Sequence, residues 1–258
     1  MKHRSLLRLC ILLVAAGFLT TGCRTLFKPF KPALRVGVTP DYAPVIMKED
    51  GILRGLEIDF AVRLADELGR RIDLVELPWD RQVTALLSGE VELIMSGLTV
   101  TDLRRVRIDF CDPYMKSGQM ALVRRRGADR IKTLDDVLYS FDRIGVKKDT
   151  TADSFVQEKC TRAQVVQYLV PTDAAVALRN RRIDAFIYDA PAIWWLASQY
   201  EADLAVVPIL LTQEDIAWGI KPGNEPLKKK VNNILGQWKE NGTLQILLDR
   251  WVPNMAGQ

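Results

Sequence analysis

From residue 34 onward, short runs of aliphatic and β-branched residues alternate with longer stretches in which apolar residues recur every three or four positions. Leu34-Arg-Val-Gly-Val38 predicts a strand. An apolar stripe at i, i+3, i+4 and i+7 predicts an amphipathic helix over 59–68 that ends at Gly69. This alternation of strands with helices predicts an α/β fold whose sheets are mostly parallel.

The alternation forms two blocks and a tail. The first block predicts strands over 34–38, 72–77 and 91–95 and helices over 59–68 and 80–88. After the charged run 124–127, the second predicts strands over 144–147, 164–169 and 185–188 and helices over 151–158, 172–180 and 190–197. The tail predicts a strand over 216–220 and helices over 226–239 and 243–251. We therefore expect two lobes: 33–123 with 216–258, and 124–215, which includes the hinge segments.

The N-terminus has the order of a signal peptide, which we predict over residues 1–22. Three bases precede an uncharged apolar run over 9–19, which is shorter than the roughly 20 residues of a membrane-spanning helix. The sequence ending in Gly22-Cys23 resembles a bacterial lipobox, although Thr20 stands where leucine is usual. We expect Cys23 to be lipidated and residues 23–32 to tether the domain to a membrane. A plain cleaved signal and an uncleaved anchor are the alternatives.

Composition excludes several classes of function. The chain has 36 basic and 32 acidic residues, and three of the bases precede Cys23, so 33 bases remain against 32 acids. This balance gives no basic surface for nucleic acid. The single histidine, His3, lies in the predicted signal, which excludes histidine-dependent nucleophilic catalysis and histidine metal ligation in a mature chain. Cys111 and Cys160 are expected to be buried free thiols, and we expect no metal or cofactor.

The segment 96–104 follows a predicted strand end, where open α/β sheets bind ligands. It contains Ser96, Gly97, Thr99, Thr101 and Arg104. Small hydroxyl residues allow close approach to a polar ligand, and an arginine fork matches a carboxylate in bidentate geometry. The alternative is a Ser/Thr turn with Arg104 in a solvated salt bridge.

Two further strand ends carry polar groups. Asp189 follows the strand 185–188, and a carboxylate facing a cleft would suit an ammonium group. The turn from Lys147 to Thr151 opens a helix whose N-terminal amides favour an anion, with added hydroxyls from Thr150 and Thr151. The alternative interpretation of each is a helix N-cap.

Two aromatic residues also follow predicted strands. Tyr42 comes after the first strand and Trp79 after the second. Either ring could stack on a ligand or on its cationic group. The alternative is that both are packing aromatics of the core.

Five motifs in order resemble the family 3 bacterial extracellular solute-binding proteins, the amino-acid receptors of ABC importers. They are the helix start Gly55–Ala65, the loop Ser96–Arg104 continuing to Tyr114, the turn Gly145–Thr151, the segment Arg182–Asp189 and the tail Asn241–Trp251. The resemblance covers about residues 33–252. It implies a two-lobed periplasmic-binding-protein-like fold with a hinge of two crossing strands, near 122–126 and 208–218 in this chain.

The resemblance also implies roles for the candidate residues. Arg104 would bind the α-carboxylate with Thr99 and the backbone of Thr151. Asp189 and the Gly97 carbonyl would bind the α-ammonium group. The remaining members of the implied ligand set are Tyr42 and Trp79 as walls, with Ser96, Lys147 and Thr150. Ser96 and Thr101 could instead only shape the loop.

Departures from the family pattern bear on the ligand. Thr39 stands where basic and amide-binding relatives often have aspartate, which argues against lysine or arginine. Lys147 occupies a common side-chain contact position and favours an acidic or polar ligand. Asp149 replaces a usual glycine, and its carboxylate would repel an acidic ligand, so these two indications conflict.

We therefore expect an extracytoplasmic, periplasmic or cell-surface monomer that captures a free polar amino acid and delivers it to an ABC transporter permease. One alternative is a cyclohexadienyl dehydratase-type enzyme acting on prephenate or arogenate. That reaction needs a general acid, and Ala190-Pro191-Ala192 offers no second acid after Asp189. The other alternative is a ligand-sensing module on the same fold.

Overall fold

The structure is a computed structural model that describes residues 31–253. The predicted signal peptide and Cys23 lie outside the described residues. Residues 33–253 form one compact unit. Within residues 31–253, no helix combines the length and apolarity needed to cross a membrane.

Short strands and helices alternate along the whole described chain. The strands are β1 Leu34–Val38, β2 Asp41–Tyr42, β3 Ile46–Glu49, β4 Ile52–Arg54, β5 Ile72–Glu76, β6 Leu93–Ile94, β7 Asp109–Phe110, β8 Met115–Ser117, β9 Gln119–Arg124, β10 Arg143–Lys147, β11 Gln164–Tyr168, β12 Ala185–Asp189, β13 Leu204–Val207, β14 Glu214–Ile216 and β15 Gly219–Ile220. The α-helices are α1 Leu56–Glu67, α2 Gln82–Ser88, α3 Asp102–Arg105, α4 Leu134–Tyr139, α5 Thr151–Lys159, α6 Pro171–Arg179, α7 Ala190–Gln199, α8 Glu225–Glu240 and α9 Thr243–Trp251.

Two five-stranded sheets define two lobes and confirm the predicted α/β class, but the sheets are mixed rather than mostly parallel, because each has two parallel and two antiparallel pairings. The first sheet has the order β5-β1-β6-β15-β7, with β1 parallel to β5 and β6. The second has the order β11-β10-β12-β9-β13, with β10 parallel to β11 and β12. Between the sheets, β8 pairs with β14 in antiparallel register. The chain therefore leaves the first lobe through β8 and returns through β14, which confirms a hinge of two crossing strands.

The first crossing was predicted in the wrong place. Residues 122–126 were expected to cross, but β9 (119–124) is a nearly fully buried strand inside the second sheet, paired with β12 and β13. The crossing strand is the three-residue β8, which is too short to show a pattern. The second sheet accordingly begins before the predicted lobe boundary at residue 124. The strand predicted over 216–220 is also two strands, β14 in the hinge and β15 in the first sheet.

Helix α1 packs into the core of the first lobe. It starts at Leu56, earlier than predicted, and both Leu56 and Glu57 are completely buried. Its Phe60 ring lies 5.2 Å from Tyr114 and 5.8 Å from Trp238, measured between ring centroids. This aromatic cluster fixes α1 beneath the loop that follows β6. Cys111 and Cys160 are both buried and free, as expected.

Candidate ligand-binding site

All ten predicted ligand residues line one cleft between the lobes, and three residues absent from that set join them. The space in this cleft that a water-sized sphere can enter is only about 10 Å³. The predicted residues in its wall are Tyr42, Trp79, Ser96, Gly97, Thr99, Arg104, Lys147, Thr150, Thr151 and Asp189. The added residues are Thr39, Asp41 and Tyr188.

The loop after β6 is anchored from below by a buried carboxylate. The Gly97 amide donates to Glu57 Oε1 at 3.0 Å, and the Tyr114 hydroxyl donates to the same oxygen at 2.5 Å. Burial raises the pKa of Glu57 to about 7. Gly97 has a φ of +64°, and a Cβ added at this position would clash with the edge of the Tyr42 ring. Glycine is therefore what lets the Tyr42 ring lie against this loop.

Ser96 and Thr101 shape the loop, one of the two interpretations left open by the sequence. Ser96 Oγ accepts a hydrogen bond from the Thr39 amide at 3.0 Å, and Gln82 Nε2 donates to Thr39 Oγ1 at 2.8 Å. Thr101 is the N-cap of α3, where its hydroxyl accepts from the Arg104 amide at 3.2 Å. These polar contacts support the loop backbone, and Ser96 and Thr39 also line the cleft.

Arg104 lies half-buried in the cleft wall. Its Nη1 donates to the Thr99 carbonyl at 2.8 Å, and its guanidinium carbon is 5.3 Å from the centre of the Trp79 ring. Burial lowers its pKa, while the charges of Asp189 and Glu214 act in the opposite direction. Among residues 31–253, no carboxylate lies within 4.0 Å of the guanidinium, so the solvated salt bridge is not formed.

Asp189 is buried at the start of α7, but its side chain makes no N-cap hydrogen bond. Its Oδ1 instead accepts from Gln119 Nε2 at 2.7 Å. Burial raises the pKa of Asp189 to about 6, and the nearby negative charge of Glu214 adds to the rise. The Asp189 carboxyl therefore lines the cleft in surroundings that disfavour its charged form. A bound cation would stabilise that charged form.

Gln119 and Glu214 are hydrogen-bonded to residues of the cleft wall, and sequence reasoning missed both. Glu214 Oε2 accepts from Thr99 Oγ1 of the first lobe at 3.0 Å and from Thr151 Oγ1 of the second lobe at 3.2 Å. Gln119 Nε2 reaches Glu214 Oε1 at 3.1 Å. The only available signal was a polar residue at the start of β14, Glu214, and another at the start of β9, Gln119. Glu214 thus joins the hinge to both lobes.

On the second lobe, Thr150 is a helix cap, as its alternative interpretation held. Its hydroxyl donates to the Lys147 carbonyl at 2.7 Å and accepts from the Asp153 amide at 3.4 Å. Asp149 has a φ of +60°, the left-handed region that favours glycine. Its backbone carbonyl accepts from Trp79 Nε1 at 2.9 Å, which joins the lobes directly.

A second contact between the lobes is an ion pair inside the cleft. Lys147 Nζ lies 2.5 Å from Asp41 Oδ1, and the lysine side chain is only 3% exposed. The same Nζ is 5.5 Å from the centre of the Trp79 ring. Across residues 31–253, no group of His, Cys, Asp or Glu side chains is arranged to hold a metal ion. The cleft therefore contains two cations and two carboxylates. Arg104 and Asp41 come from the first lobe, and Lys147 and Asp189 come from the second.

The sequence of this chain is similar to those of known solute-binding proteins. The sequence profile of the bacterial extracellular solute-binding proteins, family 3, matches residues 34–254. The chain is 31% identical over 219 residues to the L-cystine-binding protein TcyJ of Escherichia coli strain K12, covering 84% of this chain and 82% of that protein. It is 24% identical to the ABC transporter arginine-binding protein 1 of the same organism, with coverages of 85% and 90%.

Solved structures show the same architecture. An ancestral amino acid-binding protein, described as a precursor of cyclohexadienyl dehydratase, is 34% identical with a TM-score of 0.78, covering 85% of this chain and 95% of its own. A binding component of an ABC transporter from Wolinella succinogenes, complexed with lysine, is 28% identical with a TM-score of 0.81 and the same coverages. The chain belongs to the family 3 bacterial extracellular solute-binding proteins.

Proposed function

We propose that this protein is the receptor of an amino-acid ABC importer, which captures a free polar amino acid between its two lobes and delivers it to the permease. The observation that carries the proposal is the pairing of Arg104 and Asp189 in one cleft. Arg104 comes from the first lobe and Asp189 from the second. A zwitterionic α-amino acid supplies a carboxylate and an ammonium group that match them, so one ligand closes both lobes.

Roles for the other residues follow from their positions. Arg104 binds the α-carboxylate, supported by Thr99 and by the backbone amide of Thr151 at the start of α5. Asp189 and the Gly97 carbonyl bind the α-ammonium group. The Tyr42 and Trp79 rings enclose the ligand stem. Relatives whose names specify cystine, arginine, glutamine and histidine binding support an amino acid as the ligand class.

Titration calorimetry tests the proposal directly. The full chain, purified in mild detergent and refolded from denaturant to remove carried ligand, is titrated with each common amino acid and with cystine. Micromolar binding of one or a few amino acids corresponds to about −8 kcal/mol and is the expected result. Absence of binding to every amino acid would refute the receptor function.

The enzyme alternative is tested with the same preparation. The observation that favours the dehydratase function is the structural likeness to the precursor of a cyclohexadienyl dehydratase. Glu214 is a second acid close to Asp189, but its oxygens are engaged by Gln119 and three threonine hydroxyls, so it has no oxygen left to serve as a general acid. We expect no consumption of prephenate; measurable turnover would favour the enzyme.

Export and anchoring are part of the proposal. Family membership supports an extracellular or periplasmic location, and Cys23 would carry the lipid that holds the receptor near its permease. Fatty-acid labelling of cells that express the full chain should mark the protein, and Cys23→Ser should abolish the label. Equal labelling of both forms would refute lipidation at Cys23.

A further inference from the structure

Asp189 shares its hydrogen-bond donor with a second carboxylate, that of Glu214 in the hinge strand β14. Gln119 Nε2 lies 2.7 Å from Asp189 Oδ1 and 3.1 and 3.2 Å from the two carboxylate oxygens of Glu214. Asp189 is buried and Glu214 is partly buried. Because both carboxylates contact the same nitrogen, the negative charge of each disfavours ionisation of the other.

The cations of the cleft do not neutralise this pair of carboxylates. The ion pairs formed by residues 31–253 include neither Asp189 nor Glu214. Lys147 is paired with Asp41, and Arg104 interacts with the two carboxylates only at longer range. With Glu214 included, two cations therefore stand against three carboxylates. An excess charge in a buried cluster is costly unless a proton or a bound cation compensates it.

The surroundings of Asp189 make it the place for that proton. Burial raises the pKa of Asp189 to about 6, and the charge of Glu214 adds to the rise. The other titratable groups around it are one lysine and three buried tyrosines, namely Lys147, Tyr42, Tyr114 and Tyr188. Burial raises the pKa of each tyrosine well above its usual value, so the tyrosines stay neutral where Asp189 titrates.

We propose that ligand capture by this receptor releases a proton from Asp189 and that Glu214 determines the pH at which the exchange occurs. The inference rests on the proposed function, in which Asp189 binds the α-ammonium group. The ammonium group replaces the carboxyl proton as the positive partner of Asp189, and the proton passes to solvent. Glu214 acts through Asp189 and is a positioning residue, because its charge keeps the proton on Asp189 at a higher pH than burial alone would.

The direction of the pH effect follows from this exchange. An ammonium group binds the ionised form of Asp189, so protonation competes with binding. Affinity is therefore full above the pKa of about 6 and falls as the pH drops below it. The head of a free amino acid keeps both charges between pH 5 and 7. With one proton exchanged, the dissociation constant should be about tenfold higher at pH 5 than at pH 7.5.

Calorimetry on the refolded full chain tests the exchange. The probe is the amino acid that binds most tightly in the panel of the proposed function. Titrations at pH 5.5 in acetate and in MES, which differ in ionisation enthalpy, should show release of most of one proton per ligand, and titrations at pH 7.5 almost none. A dissociation constant that changes less than about threefold between pH 7.5 and 5, without proton release, overturns the proposal while the receptor function stands. No binding to any amino acid overturns both.

Variants test the role of Glu214. Glu214→Gln should lower the midpoint of the pH profile of affinity by at least about half a pH unit, because a neutral amide no longer opposes ionisation of Asp189. Asp215→Asn removes a half-exposed carboxylate at the next position of β14 and should leave the midpoint unchanged. Thermal unfolding confirms that each variant folds. If Glu214→Gln does not, Asp189→Asn carries the test, and its residual binding should lose both the pH dependence and the proton release.

A different buried carboxyl could also produce a pH profile. Burial raises the pKa of Glu57 to about 7, and this residue lies beneath the Gly97 loop without contacting Glu214. If Glu57 were the titrating group, the midpoint of Glu214→Gln would equal that of wild type. An unchanged midpoint in folded Glu214→Gln, or a pH profile that persists in Asp189→Asn, therefore overturns the proposal.

Discussion

Asp189 should lower the stability of the ligand-free protein, and Asp189→Asn should raise it. The pKa of this carboxyl rises from 3.8 to about 6 on folding, chiefly because it is buried. Folding therefore favours the protonated form. Its stabilising contribution is fully present below the unfolded pKa of 3.8 and is lost as the pH rises through about 6. A difference of about two pKa units corresponds to a cost on the order of 3 kcal/mol above pH 6.

The expected signature is a gain in stability that depends on pH. Urea unfolding of ligand-free wild type and Asp189→Asn at pH 8 should show the variant more stable by up to about 3 kcal/mol, and the difference should shrink as the pH falls towards 4. Asp215→Asn is the matched control, because Asp215 is a half-exposed carboxylate in the hinge strand β14. A variant less stable than wild type at pH 8, or a gain independent of pH, would refute the reasoning.

Three further substitutions test the cleft. Arg104→Ala should weaken amino-acid binding at least a hundredfold in calorimetry, because removing one side of a desolvated charge pair costs roughly 3 to 5 kcal/mol; wild-type affinity would exclude the carboxylate role. Glu214→Gln should speed ligand dissociation about tenfold in stopped-flow fluorescence, because an amide cannot accept from Gln119 and both lobes' threonines together, and a change no larger than that of Asp215→Asn would contradict this. Gly97→Ala should cost about 1 to 3 kcal/mol in denaturant unfolding, because the new Cβ meets the Tyr42 ring at positive φ; unchanged stability would rule out the clash.

Local periodicity was enough to predict the elements that are long or fully apolar. Strand β1 has the bounds predicted for it, and so does α9, whose apolar positions recur at helical spacing. Helix α4 was missed although Thr133 and Asp136 form a capping box, because only Val137 of its six residues is buried. The hinge strands were misplaced for a related reason. A three-residue strand such as β8 is defined by its partner β14, and no local pattern records that pairing.

The predicted site residues share one property, which is that nearly all of them lie at or just after the end of a strand whose own pattern is visible in the sequence. Gln119 and Glu214 reach the residues of the cleft wall only because β8 and β14 pair across almost a hundred residues of chain. Their contribution therefore depends on tertiary structure and is absent from any local segment.

Missing tertiary contacts also explain why the sequence gives conflicting indications about the ligand. Thr39 in place of an acid, a lysine at position 147 and a carboxylate at position 149 could not be weighed without their geometry. In the fold, Asp149 is exposed and does not line the cleft, while Asp41 does and pairs with Lys147. The charge of Lys147 is thereby balanced within the wall itself. We therefore expect the cleft to prefer a ligand whose far end has no net charge over the acidic side chain that an unpaired lysine would favour.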